Sequence, residues 1–308
     1  MRALPPVSLS TVLGPLARPL RAPRHGAPGP VERRPPTPRA GRARPASGPA
    51  AGPRAGPGPA GPAGTAAASP VTLGGAPARQ TDETTCGSMV LLMLAATGDP
   101  ILADWLERGT LAPDLPADQV PPEIPPAATG MGALPPVAAT AHPTAATRLA
   151  AAQQHLKRRT SARALGPVPW PGRLGTPPWT AAREARFPGV RYRSVPLDDA
   201  SPRATALLAS AHKATLAGVP VPLYTGGDLR RGLASAVPRH VVLAVPPPAA
   251  AAHRGHDDAG RPVLHLYEPA AGLVHEVPVA ALLGRTEPHP ALGGWTHVVW
   301  VVLPEPVR

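Results

Sequence analysis

The chain has little cysteine and few aromatic residues: one Cys, and only 3% Phe, Trp and Tyr, in 308 residues. A single cysteine excludes an internal disulfide and gives no sign of an oxidising compartment. The aromatic residues are not interleaved with basic ones, so we expect no stacking platform and no specific nucleic-acid partner. The sequence also lacks a run of 18 apolar residues, so we expect no transmembrane segment.

The first apolar stretch is a poor secretion signal. Pro5, Pro6 and Pro15 interrupt it, and no clear small-residue cleavage site follows. We therefore expect a cytoplasmic protein, with secretion left open.

The first 75 residues are mostly Pro, Ala, Gly and Arg and show no apolar periodicity. Such a segment cannot bury enough surface to offset its ordering entropy. We predict a disordered Pro/Ala/Arg-rich tail at 1–70 and one folded domain at 71–308. Residues 1–75 hold ten Arg and one Glu, so they contribute +9 of the formal net charge of +12. The tail can make weak electrostatic contacts without sequence preference, or it reflects compositional drift alone.

The folded part is predicted to begin with helices and to end with strands, a segregation typical of an α+β fold. The predicted helices are 86–98, 99–109, 144–161, 177–187 and 201–218. Alternation and apolar runs predict strands at 190–197, 219–225, 239–245, 261–269, 272–279 and 293–304. The Pro-rich stretch 110–143 is predicted to be a surface excursion.

The single cysteine, Cys86, stands where the first apolar helix is predicted to begin. The helix dipole and the free N–H groups of a first turn favour a thiolate, which is the nucleophilic form. Thr84 and Thr85 are predicted to cap the helix, and Gly87 to let a substrate backbone approach the sulfur. The alternative is that Cys86 is an ordinary small buried residue.

Three other residues could complete a site around this thiol. His240 begins an apolar strand and is a candidate general base, unless it is merely an exposed strand-edge histidine. Glu268 ends the next strand and could orient the imidazole, unless it faces water at a hairpin end. Gln80 lies six residues before Cys86, and its amide could donate to an oxyanion beside the Cys86 N–H.

These segments resemble the C39-like branch of the papain-like cysteine peptidases. The matching stretches are QTDETTCG at 80–87, HVVLAV at 240–245 and LYEPAAGLVHEVPVAAL at 266–282. The family shows a Gln–x5–Cys–Gly box at the start of a central helix, a later His heading a strand, and an acid or amide before Pro on the next strand. The resemblance covers about 75–108 and 190–304 and leaves the segment between them unmatched.

The resemblance implies a papain-like fold, in which a central N-terminal helix packs on a C-terminal antiparallel sheet. It implies Cys86 as nucleophile, His240 as base, Glu268 as the residue that orients it, and Gln80 in the oxyanion hole. The implied activity is hydrolysis of a peptide or amide bond in a peptide or protein substrate, without a cofactor or a metal. The family most often has Asp or Asn where Glu268 stands, and the longer Glu requires a shifted backbone to reach the imidazole.

Other functions stay open at this point. The same scaffold could be a catalytically silent module that binds a peptide in its cleft, or an amidase or acyltransferase. The segment HRGHDD at 253–258 offers two His and two Asp for a metal, although we interpret it as a solvated loop.

Overall fold

A seven-stranded antiparallel sheet organises the chain. The structure is a computed structural model that describes residues 68–129, 143–227, 240–248 and 255–307. The strands, β1 to β9 in chain order, are Ser69–Pro70, Thr72–Leu73, Ala76–Pro77, Val190–Pro196, Val221–Gly226, His240–Val245, Val263–Glu268, Leu273–Pro278 and His297–Pro306. The helices, α1 to α5, are Cys86–Gly98, Pro100–Arg108, Ala145–Ser161, Pro178–Glu184 and Pro202–Leu216.

The order of strands in the main sheet is β1-β8-β7-β6-β5-β9-β4, and all neighbours are antiparallel. β2 and β3 form a separate hairpin. The predicted α+β class is confirmed. Strand β1 pairs with β8, so order begins slightly before the predicted boundary at residue 71, while residues 1–67 of the predicted tail lie outside the described residues.

Helix α1 is the central helix. It carries apolar or small residues on nearly every face, which is typical of a helix buried all round. It packs against β6 on one side and against α2 and α3 on the other. In the described part of the chain, no single helix is long and apolar enough to cross a membrane. Helices α1 and α2 have the necessary length and apolar composition only when taken together, and the chain bends by 117° between them.

The sheet is covered on both faces, and β6 shows how. Val241 and Leu243 belong to the core that contains α1, whereas Val242 and Ala244 belong to the core that contains α5. Since successive strand residues point to opposite faces, a strand buried on both sides needs a continuous apolar run. This burial places β5, β6 and β7 rigidly between two helical layers.

The helix predicted at 99–109 is present as α2, and it is capped at both ends. The Asp99 side chain accepts hydrogen bonds from the N–H groups of Ile101 and Leu102, and Pro100 fills the first helical position. Gly109 ends the helix with a left-handed φ of 76°.

The prediction of a surface excursion at 110–143 is wrong for residues 121–125, four of which are buried, whereas residues 110–120 are mostly exposed as predicted. Ile124 lies in the core with 3% exposure, and the buried Glu123 forms a bidentate ion pair with Arg186, at 2.9 and 2.7 Å. Arg186 also reaches Asp99, at 2.7 Å, which ties the segment to the start of α2. The sequence did not indicate this pairing because the partners are more than 60 residues apart. Residues 130–142 lie outside the described residues.

We expect Arg186→Met to destabilise the fold by about 2–4 kcal/mol, because it leaves the Glu123 carboxylate buried without its cation. Urea unfolding followed by circular dichroism measures the change. Arg193→Met is the matched control, since its ion pair with Glu305 is half-exposed and is expected to contribute less than about 1 kcal/mol. Equal losses in the two variants would contradict the structural role given to Arg186.

Candidate active site

Two strand ends bring His240 and Glu268 together. His240 is the first residue of β6 and Glu268 the last residue of β7, so in an antiparallel pair both lie at the same end of the sheet. Leu243 stands opposite Tyr267, a register that places Glu268 diagonally across from His240 on the same face. His240 Nε2 and Glu268 Oε1 are 2.7 Å apart.

The Glu268 carboxylate is held by its own turn as well as by His240. The N–H of Ala270 donates to Oε1, at 2.8 Å, and the N–H of Ala271 donates to Oε2, at 2.7 Å. The extra methylene of Glu thus lets the carboxylate fold over the turn and still reach the ring. Burial alone would raise the pKa of Glu268, but these hydrogen bonds and the imidazole hold that pKa below its usual value.

The side chain of Cys86 is the second partner of the imidazole. Cys86 is the first residue of α1 and is 2% exposed, and it forms a hydrogen bond with the His240 side chain. Because Nε2 is engaged by Glu268, Nδ1 is the ring nitrogen left for the sulfur. Burial opposes the charged ring, but the interactions with Cys86 and Glu268 outweigh it and raise the pKa of His240 to about 9.

Thr85 is the N-cap residue of α1, but the prediction that the Thr84 and Thr85 hydroxyls cap the helix is wrong. The Thr85 hydroxyl accepts from the N–H groups of Thr81 and Asp82 and donates to the Asp82 carbonyl, and Thr84 donates to the Asp82 side chain. Both hydroxyls therefore brace the loop that enters the helix. The first-turn N–H groups around Cys86 are left without capping side chains, which suits them to receive negative charge.

Gln80 lies on the same loop. Its Nε2 donates to the Asp82 carbonyl, at 3.1 Å, which uses one of the two amide hydrogens, and its Oε1 is buried without a hydrogen-bond partner in the described structure. The Gln80 N–H donates to the carbonyl of Pro269, at 2.9 Å, and the Tyr267 hydroxyl donates to the carbonyl of Ala78, at 2.7 Å. The loop that carries Gln80 is thus tied to the turn that carries Glu268.

Thr176 is a residue of the site that the sequence did not indicate. An added Cβ on Gly87 would lie 2.6 Å from the Thr176 Cβ, so Thr176 occupies the space predicted for an approaching substrate. The buried Tyr224 hydroxyl holds this segment by donating to the Thr176 carbonyl, at 2.9 Å. Burial, together with the nearby Cys86, raises the pKa of Tyr224. Thr176 lies between the helices predicted at 144–161 and 177–187, where no sequence pattern marks it.

Gln153 on α3 is a second such residue. Its side chain is fully buried, where it accepts from the Thr81 N–H and donates to the Arg79 carbonyl, both at 3.0 Å. The adjacent Gln154 donates to the Asp82 carboxylate, at 3.0 Å. Two neighbouring residues of α3 therefore brace the loop that carries Gln80.

The alternative metal cluster at 253–258 receives little support. The Asp257 carboxylate already accepts from two backbone N–H groups and from the Arg261 side chain. His256 lies edge-on to His212, and His253 is outside the described residues. In the ranges that the structure describes, no three His, Cys, Asp or Glu side chains are grouped to hold a metal ion.

Comparisons of the chain with protein-family models, with curated proteins and with solved structures found no match. Function is therefore inferred from the chemistry of the residues at the joined ends of α1, β6 and β7.

We expect Glu268→Gln to lower the midpoint of the His240 titration by roughly 1–2 pH units, because the amide carries no negative charge to stabilise the imidazolium. Two-dimensional NMR of the histidine ring protons measures the midpoint. Glu276→Gln is the control, since Glu276 is exposed on β8 opposite His265 and should leave His240 unchanged. An unchanged His240 midpoint in Glu268→Gln would contradict the ion pair.

Proposed function

We propose that this chain is a thiol hydrolase that cleaves a peptide or amide bond through an acyl-enzyme on Cys86. One observation carries the proposal: the His240 imidazole forms hydrogen bonds with both the Cys86 side chain and the Glu268 carboxylate, and all three residues are 6% exposed or less. A nucleophile that contacts a base, which in turn contacts an orienting acid, is the arrangement that acyl transfer requires.

The scaffold supports a papain-like assignment. The thiol begins a buried central helix, and the base and the acid end two neighbouring strands of an antiparallel sheet packed against that helix. This is the arrangement that the resemblance of the 80–87, 240–245 and 266–282 segments implies.

In the first half of the proposed reaction, the proton is already held on the His240 imidazole, and the Cys86 sulfur attacks the substrate carbonyl carbon as a thiolate. The carbonyl π electrons move to oxygen, and the oxyanion is received by the Cys86 N–H at the start of α1. The second amide hydrogen of Gln80 is available as a further donor. Glu268 holds the imidazolium in place during this step.

The second half releases both products. The C–N bond breaks, its electrons go to nitrogen, and His240 gives its proton to the leaving amine. Water then loses a proton to His240 and attacks the thioester carbonyl, and the C–S bond breaks with its electrons on sulfur, which regenerates the thiolate beside the protonated His240. An amine in place of this water would make the same site an acyltransferase.

We expect iodoacetamide to alkylate Cys86 at pH 6 at least roughly tenfold faster in the wild type than in His240→Ala, because a protonated imidazole stabilises the thiolate. His240 keeps its proton until the pH rises through about 9, so the pair should be lost above that pH. Mass spectrometry of the labelled chain from pH 5 to 10 gives both profiles, and identical profiles would count against the pair.

Cys86→Ala should abolish cleavage of a fluorogenic peptide-amide library. Ser88→Ala is the matched control, because the Ser88 hydroxyl is also buried in the first turn of α1 but has no hydrogen-bond partner in the described structure. Adding glycine amide as acceptor separates hydrolysis from acyl transfer by the products formed. Cleavage that persists in Cys86→Ala would exclude the proposed nucleophile, and fast labelling without any turnover would favour a silent peptide-binding module.

A further inference from the structure

A short turn packs on the end of the sheet where His240 and Glu268 meet. It contains the 3₁₀ turn Pro290–Leu292, which contacts β6, β7 and β8. Gly293 and Gly294 follow it, and both have left-handed φ values, of 65° and 78°. Residues with side chains rarely adopt this conformation, so both positions favour glycine on backbone grounds alone.

Gly293 lies directly against the His240 ring. An added Cβ on Gly293 would be 2.5 Å from Nε2 and 3.0 Å from Cγ, and closer still to Cδ2. Nε2 is the atom that forms the hydrogen bond with Glu268. Gly293 therefore packs on the part of the ring that contains Nε2.

Gly294 is in a different position although it is the next residue. An added Cβ on Gly294 would meet no atom within 4 Å. Both glycines thus have a backbone conformation that disfavours a side chain. Only Gly293 also lies so close to the imidazole that a side chain there would overlap the ring.

Thr225 sets the position of this turn. Its side chain is fully buried, and its hydroxyl donates to the Leu292 carbonyl, at 3.0 Å. Thr225 also stands directly opposite His240 in the pairing of β5 with β6. One strand residue beside the histidine therefore holds the turn that covers the histidine ring.

We propose that Gly293 is a positioning residue of the site, held by Thr225, that keeps the His240 ring turned towards Cys86 and shields its hydrogen bond to Glu268 from water. The packing stands independently of the reaction, and its effect on turnover rests on the proposed hydrolase function. A hydrogen bond shielded from water is stronger electrostatically than an exposed one.

The test compares Gly293→Ala with Gly294→Ala. Both variants place a methyl group on a left-handed residue, so the backbone penalty is common to them, and thermal unfolding checks this. We expect Gly293→Ala to displace the imidazole, to lower the alkylation rate of Cys86 at pH 6 about tenfold and to shift the His240 NMR titration. If turnover is present, kcat should fall about tenfold with KM within twofold. Gly294→Ala should stay within twofold of the wild type in each measurement.

Thr225 supplies a second test that adds no bulk at the ring. Thr225→Val removes the hydrogen bond to Leu292 at nearly constant volume, and Thr225→Ser keeps the hydroxyl. We expect Thr225→Val to shift the midpoint of the His240 titration in the folded protein, and Thr225→Ser to leave that midpoint as it is in the wild type. This pair decides the question if Gly293→Ala does not fold.

The outcomes separate this inference from the proposed function. If the wild type hydrolyses nothing, but Gly293→Ala alone moves the His240 titration, the positioning role stands and the hydrolase proposal fails. If Gly293→Ala and Gly294→Ala behave alike, or if Thr225→Val leaves His240 unchanged, the positioning role is overturned whether or not the protein hydrolyses peptides.

Discussion

The hydrogen bond between His240 and Glu268 is the constraint on which the rest of the site depends. A buried carboxylate is costly unless it is paired and its remaining lone pairs are used. Glu268 meets this condition by accepting from His240 and from two N–H groups of its own turn. Because Nε2 is committed to Glu268, Nδ1 is the nitrogen that remains for Cys86. The orientation of the ring thus follows from the need to satisfy a buried charge.

The pair also connects the two halves of the molecule. Tyr267, the residue before Glu268, and Pro269, the residue after it, form hydrogen bonds with the loop that leads into α1. Gln153 binds the same loop from α3. The start of the central helix and the ends of β6 and β7 are therefore held as one rigid unit, which is the condition for keeping three side chains in contact.

Local patterns predicted much of the fold. The caps of α2 and the apolar runs of β6 and β9 depend on residues close together in sequence, so periodicity and cap chemistry indicate them. The predictions for Thr85 and Gly87 failed because several partners can satisfy a hydroxyl or fill a space. Which partner does so depends on distant segments, here the loop from Thr81 and the side chain of Thr176.

The sequence by itself determined the α+β class and the candidate set of Gln80, Cys86, His240 and Glu268. It did so because a lone thiol at a helix start and polar residues at the ends of apolar strands are visible in the order of residues. Only the tertiary structure decided that Glu268 reaches His240 by folding over its own turn, and that Gly293 covers the ring. Those contacts join segments that are distant in the chain, and their distances are set by the register of the sheet and by core packing, which no local pattern encodes.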